Sequence, residues 1–132
     1  MAQLGLTQRC TLLEGDNREV CPQGSADRVI LGLLPDSEVS WRTACLALRD
    51  RGGVLHVHGN VESARGQQRR ERLTAHAETV REAMCRILTE VKNKDFTVHV
   101  SHVECVKSYA PRIYHVVVDL KCENNQKPIK MS

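Results

Sequence analysis

"RVILGLLPDSEVSW", residues 28–41, decides how the rest of the chain reads. An almost wholly apolar run ends at Pro35, and within a residue or two the pattern turns helical. A strand that is apolar on both faces is normally buried in a parallel sheet. Ligands of such α/β proteins bind in the crevice beyond the carboxyl ends of the strands. The tip formed by Gly32 and Pro35 is therefore the first place to look for a site.

Outward from this stretch, strands and helices alternate. "CTLLEGD" (10–16) reads as a short strand upstream of "DRVILGLL" (27–34). Asp36 or Ser37 is placed to cap the next helix by accepting bonds from its free N–H groups. Trp41, Ala44, Cys45 and Leu48 then fall at one-face helical spacing. Gly52-Gly53 ends that unit. "VLHVHGNV" (54–61) is a third strand, followed by "RGQQRRER" (65–72) and a long helix to about Lys92. Its apolar stripe is Leu73, Ala77, Val80, Met84, Ile87, Leu88 and Val91, with Glu82 and Arg86 as an i,i+4 pair on the wet side. "FTVHVSHVECV" (96–106) alternates like a strand with one polar face, and "YHVVVDLKC" (114–122) is a strand with an apolar centre. The order implies a mostly parallel sheet in which the last two strands, lacking a helix between them, pair antiparallel at one edge. The domain is expected over residues 1–123, with 124–132 as a flexible polar tail.

The bulk composition agrees. The chain has 132 residues, enough for one domain with a core. Aromatics are only 3%, so the core rests on Val, Leu, Ile and Ala. The six cysteines are scattered and form no C-x-x-C pair, which suggests reduced thiols in a cytoplasmic protein rather than a disulfide framework. No apolar run approaches the length of a membrane span, and no signal peptide is read, so no membrane partner is expected. The net charge of +3 is compatible with a polyanionic partner and equally with an ordinary solvated surface.

Four blocks in order, "GDNREV", "ADRVILGLLP", "GGVLHVHGNV" and "VKSYAPRIYHVVVDL", closely resemble the C-terminal half of the tRNA wybutosine-synthesizing protein 2 family. That family belongs to the class I S-adenosylmethionine-dependent transferases and is related to the tRNA guanine-N1 methyltransferases. The resemblance implies the C-terminal half of a doubly wound, Rossmann-like methyltransferase fold. It implies transfer of the 3-amino-3-carboxypropyl group of S-adenosylmethionine to C7 of 4-demethylwyosine, with the anticodon arm of phenylalanine tRNA as partner. A glycine-rich turn after a first strand and a ribose-holding acid after a second are typical of such transferases, and nothing in residues 1–26 matches either. The chain is therefore expected to begin just before the family's third strand, without the N-terminal half of the domain, and to be inactive alone.

Within that resemblance, Asp16 and Asn17 would hydrogen-bond the cofactor's adenine; the plain alternative is an Asx turn. Gly32 and Pro35 would border the cofactor. The methylating relatives carry an Asn-Leu-Pro at this tip, whose amide can hold a nucleobase. Here Gly32-Leu33-Leu34-Pro35 has none, which argues against guanine-N1 methylation. His56, His58 and Asn60 share one face of a strand. His56 and Asn60 are candidates for substrate contact, whereas a metal site would need a third and fourth ligand that the sequence does not supply. Arg65, Arg69, Arg70 and Arg72 crowd a helix start, where cations oppose the macrodipole and a phosphate backbone would relieve them; a solvated face is the alternative. Lys107, Tyr109 and Arg112 surround Ala110-Pro111 in a loop that the resemblance sets near the cofactor and the anticodon arm; a proline-stiffened loop before a core strand is the alternative. Two other classes remain open: a tRNA guanine-N1 methyltransferase, and a non-enzymatic α/β RNA-binding module.

Overall fold

The computed structural model describes residues 21–32 and 37–125, the side chain of Tyr109 excepted. The strand read at 10–16, with Asp16 and Asn17, lies outside the described residues, as does Pro35. Four strands and two helices follow in order: β1 (Arg28–Leu31), a 3-10 turn (Glu38–Ser40) running into α1 (Trp41–Ala47), β2 (Gly52–Glu62), α2 (Arg69–Lys92), β3 (Phe96–Ala110) and β4 (Ile113–Asn124). The spatial order is β1-β2-β4-β3.

The apolar stretch around Ile30 and the "VLHVHGNV" strand are parallel neighbours, with Arg28 opposite Val54 and Leu31 opposite Val57. The last strand turns back between its predecessors. β4 lies antiparallel to β2 from Gly52↔Glu123 to Glu62↔Ile113 and antiparallel to β3 on its other side. The described sheet is thus mixed, one parallel pairing beside two antiparallel ones. Strand insertion of this kind buries β4 centrally, which is why Val116, Val118 and Leu120 are all fully buried.

Alternation along the strands divides the sheet into an apolar and a polar face. Leu55, Val57 and Val61 of β2 join the four alternate residues Val116, Val118, Leu120 and Cys122 of β4 in one cluster with Ala44, Cys45 and Leu48. The same cluster takes in the α2 stripe: Leu73, Ala77, Val80, Met84 and Leu88 are buried, and Ile87 and Val91 pack beside them. Both helices therefore cover one face. This packed stripe adds tertiary stabilisation to a segment already rich in the helix formers Ala, Arg, Glu, Leu and Met.

Glycine is required where β2 begins. Gly52 sits at φ 112, and a Cβ there would meet the Cys122 carbonyl oxygen at 2.1 Å. A Cβ on Gly53 would meet the Asp27 carbonyl oxygen at 2.2 Å. The pair does not stop α1, which ends at Ala47 with Leu48 already extended; it lets β2 enter between β1 and β4.

Three local expectations differ from the structure. Ser37 makes no side-chain cap; it is buried, and its hydroxyl instead accepts a 3.0 Å bond from the Trp41 indole N–H. Glu82 lies 3.9 Å from Arg81, which also pairs with Glu78, and makes no ion pair with Arg86. The segment around Ala110-Pro111 is a tight hairpin, not a loop. Lys107 and Tyr109 lie on β3, Ala110 faces Ile113, and only Pro111 and Arg112 form the turn. Irregular register after Val100, Cys105 and Ser108 carries β3 to its full length.

Candidate nucleic-acid interface

The carboxyl end of β2, the β3–β4 turn and the first turn of α2 come together at one end of the sheet, whereas β1 stops at Leu31, opposite Val57. Backbone bonds fix this end. Ser63, 3% exposed, donates its N–H to the Arg112 carbonyl at 2.8 Å, which ties the exit of β2 to the hairpin turn. Pro111 sets the first turn position, and Arg112 occupies the second at φ 67. A type II turn normally puts glycine or asparagine there, so an arginine is held with backbone strain at the tip. The chain then folds over itself at 64–67: Ala64 N–H donates to the Gln67 side chain at 2.8 Å, and Gln67 N–H returns to the Ala64 carbonyl at 2.9 Å. α2 starts at Arg69 without a side-chain cap on Gln68.

The arginines divide by role. Arg72 is half-buried and donates to the Glu62 carbonyl at 2.9 Å, so it fastens α2 to the end of β2. Arg69 lies over the Tyr114 ring, its guanidinium carbon 5.8 Å from the centroid. Arg65, Arg70 and Arg112 are exposed and make no ion pair with the described residues. Lys107, on β3, is exposed too. A cleft of about 330 Å³ opens beside this cluster, between α2 and β3, lined by Arg69, Arg70, Leu73, Thr74, Val103 and Cys105.

The polar face carries the histidines. A guanidinium only donates, so the 3.2 Å contact from Arg28 fixes His56 Nε2 as an acceptor. Its Nδ1–H then donates to Asp119 at 2.8 Å. His56 thereby joins β1, β2 and β4. His58 Nδ1 and His115 Nε2 lie 3.0 Å apart and share one proton between them. Burial, and then the charge of His115, hold His58 below the ordinary imidazole value. Asn60 is exposed on the same face, one step nearer the carboxyl end. Among the described residues no three His, Cys, Asp or Glu side chains gather as metal ligands.

At the tip of β1, Gly32 is exposed, and a Cβ there would meet nothing within 4 Å. Cys45 and Cys122, by contrast, are pushed up to about 12 by burial and are chemically inert thiols.

Three participants escaped the sequence reading. Tyr114, beneath Arg69, looks like any strand aromatic. Arg28 opens an apolar run and reads as its solvated edge. Asp119 left a usable signal, being the one acid inside "VVVDL", where an unpaired carboxylate would be costly.

No family model matches the chain. A protein of Arabidopsis thaliana called tRNA wybutosine-synthesizing protein 2/3/4 is 46% identical over 117 residues, 89% of this chain and 11% of that protein. A tRNA wybutosine-synthesizing protein 2 homolog of Danio rerio is 35% identical over 142 residues, 90% of this chain and 35% of its own length. The chain thus spans about a third or less of these relatives. Among solved structures, TYW2 of M. jannaschii in complex with AdoMet superposes with a TM-score of 0.61 at 28% identity, over 83% of this chain and 43% of that one. The complex of aTrm5 with tRNALeu gives 0.55 at 26% identity, over 81% and 25%. The fold is that of the class I S-adenosylmethionine-dependent methyltransferases. No helix among the described residues is long and apolar enough to cross a membrane.

Proposed function

We propose that this chain, homologous over 89% of its length to tRNA wybutosine-synthesizing protein 2, is the C-terminal part of a transferase for wybutosine biosynthesis. The complete protein would transfer the 3-amino-3-carboxypropyl group of S-adenosylmethionine to C7 of 4-demethylwyosine in phenylalanine tRNA, in the cytoplasm. The observation that carries this reading is the 46% and 35% identity to tRNA wybutosine-synthesizing proteins over about nine tenths of this chain, beside a set of exposed cations where β2 ends. A cofactor crevice and a polyanion surface belong side by side in an enzyme that modifies RNA.

When bound, S-adenosylmethionine supplies a sulfonium whose carbon substituents are open to nucleophiles, with a neutral thioether as leaving group. This chain's residues bind and orient. Gly32 and Pro35 would border the cofactor, and Asp16 and Asn17 would hold the adenine. Arg69, Arg70, Lys107 and Arg112 would hold the backbone of the anticodon arm, with Tyr109 beside it and Asn60 toward the crevice, while His56, bonded at both ring nitrogens, would brace the strands. Such positioning supplies most of the rate where no acid is needed for the leaving group. The sequence Gly32-Leu33-Leu34-Pro35 offers no amide to a guanine N1, which favours transfer to a ring carbon over the related methylation.

The test is product analysis. The chain alone, with labelled cofactor and tRNA bearing 4-demethylwyosine, is expected to give no product. Joined to the preceding half of the M. jannaschii relative's domain, it is expected to give a nucleoside carrying the aminocarboxypropyl group. Methylated guanosine from the joined protein would overturn the assignment in favour of the methyltransferase. Salt-sensitive tRNA binding without cofactor binding or product would favour a non-enzymatic RNA-binding module.

A further inference from the structure

We infer that the cleft between α2 and β3 holds one nucleotide of single-stranded RNA, its phosphate on Arg69 and Arg70 and its base against Leu73 and Val103. The inference rests on the reading of the chain as an RNA-modifying protein and assigns it a specific contact. The cleft, at about 330 Å³, lies at the small end of the range of ligand sites, which begins near 300 Å³. Its lining separates into the two chemistries a nucleotide needs. Arg69 and Arg70 stand at the α2 end and make no ion pair with the described residues. Leu73 is buried and Val103 half-buried, so the floor is apolar, and the polarizable Cys105 thiol extends it. Thr74 adds a hydroxyl within the same lining.

Arg69 does not swing freely. Its guanidinium rests over Tyr114, a contact that orients the charge before any ligand arrives. An RNA strand presents a phosphate and a flat apolar base in alternation, and single-strand binders pair cationic grooves with surfaces that accept any base. An acidic peptide would satisfy the arginines but leave the apolar floor unused.

Cys105 lies in the cleft, whereas the half-buried Cys21 and Cys85 do not line it. Cys45 and Cys122 are buried and unreactive. Alkylation of the full chain by a maleimide, read peptide by peptide by mass spectrometry, therefore reports occupancy. Saturating oligouridylate is expected to slow Cys105 labelling about five-fold or more and leave Cys21 and Cys85 unchanged, since only accessible thiolate reacts. Thr74→Leu, made at an exposed helix position, fills the cleft with a side chain that offers no ring to stack on and is expected to weaken oligouridylate binding about ten-fold by excluding the base. Equal protection by poly-glutamate would overturn the assignment to RNA. Salt-sensitive tRNA binding with Cys105 fully reactive, or a Thr74→Leu chain that binds as before, would overturn the cleft and leave the proposed function standing. No RNA binding at all would overturn both.

Discussion

The two ends of the sheet treat charge in opposite ways. At the end where β2 begins, Asp27, Asp50 and Lys92 are matched. Asp27 takes bonds from Arg49 at 2.9 Å and Arg51 at 3.1 Å, and Arg51, then Arg49, hold its carboxyl below the usual range. Lys92, only 6% exposed in its side chain, donates to the Leu46 and Leu48 carbonyls at the end of α1 and to Asp50 at 3.0 Å. Asn124 donates to the Asp50 carbonyl at 2.8 Å. At the carboxyl end, Arg65, Arg70 and Arg112 have no such partners among the described residues. A fold that only needed solubility has no reason to segregate its pairing this way. The closed end stabilises the molecule, and the open end keeps cations available for an anion.

If that division is right, damage at the closed end unfolds the protein and damage at the open end does not. The largest effect belongs to Gly52→Ala. Left-handed backbone strain and overpacking against Cys122 each cost about 1–3 kcal/mol, so a total loss of about 2–6 kcal/mol is expected in urea unfolding. A variant as stable as the parent would mean that β2 does not enter as described.

Next comes Lys92→Met. It keeps the buried stem but leaves the Leu48 carbonyl without its 2.6 Å donor, at a cost of about 1–3 kcal/mol. A change below a few tenths would make this end no more tightly held than the other.

A smaller effect follows pH. His58 is held below the ordinary imidazole value, so the unfolded chain takes up its proton first on acidification. Its contribution is complete above about pH 6.5 and is lost as the pH falls through the folded value, with a slope of at most about 1.4 kcal/mol per unit for one proton. Urea midpoints measured from pH 7 to 5 should fall in the parent and fall less in His58→Gln. Parallel curves would remove His58 from the account.

Smallest of all on stability is Arg69→Ala with Arg70→Ala, expected within about 0.5 kcal/mol of the parent because both are exposed. A large loss would return these arginines to the structural end of the comparison.

Much of this division was legible in the sequence, though unevenly. The order of β1, α1, β2, α2, β3 and β4 follows from local periodicity, which the α2 stripe illustrates: every residue expected inward packs on the core. What failed depended on partners distant in sequence or competing within one turn. Ser37 was a sound cap until an indole four residues later took its hydroxyl. Pro111 signalled a break, yet the irregular register of β3 allowed the strand to reach it and left Arg112 to turn the corner. The arginine run was visible as charge, but nothing local distinguishes Arg72, which bonds to Glu62, from Arg70, which is left open.

The central claim is that the open end exists for RNA phosphate, and a salt series tests it most directly. Binding of phenylalanine tRNA is measured for the parent chain and for the Arg69→Ala, Arg70→Ala double variant across rising salt. Phosphate contacts release counterions, so the variant should bind more weakly, with the slope of log affinity against log salt shallower by about 1–2. The loss should be the same for an unrelated tRNA, because such contacts carry no base information. An unchanged affinity and slope in the double variant would contradict the account.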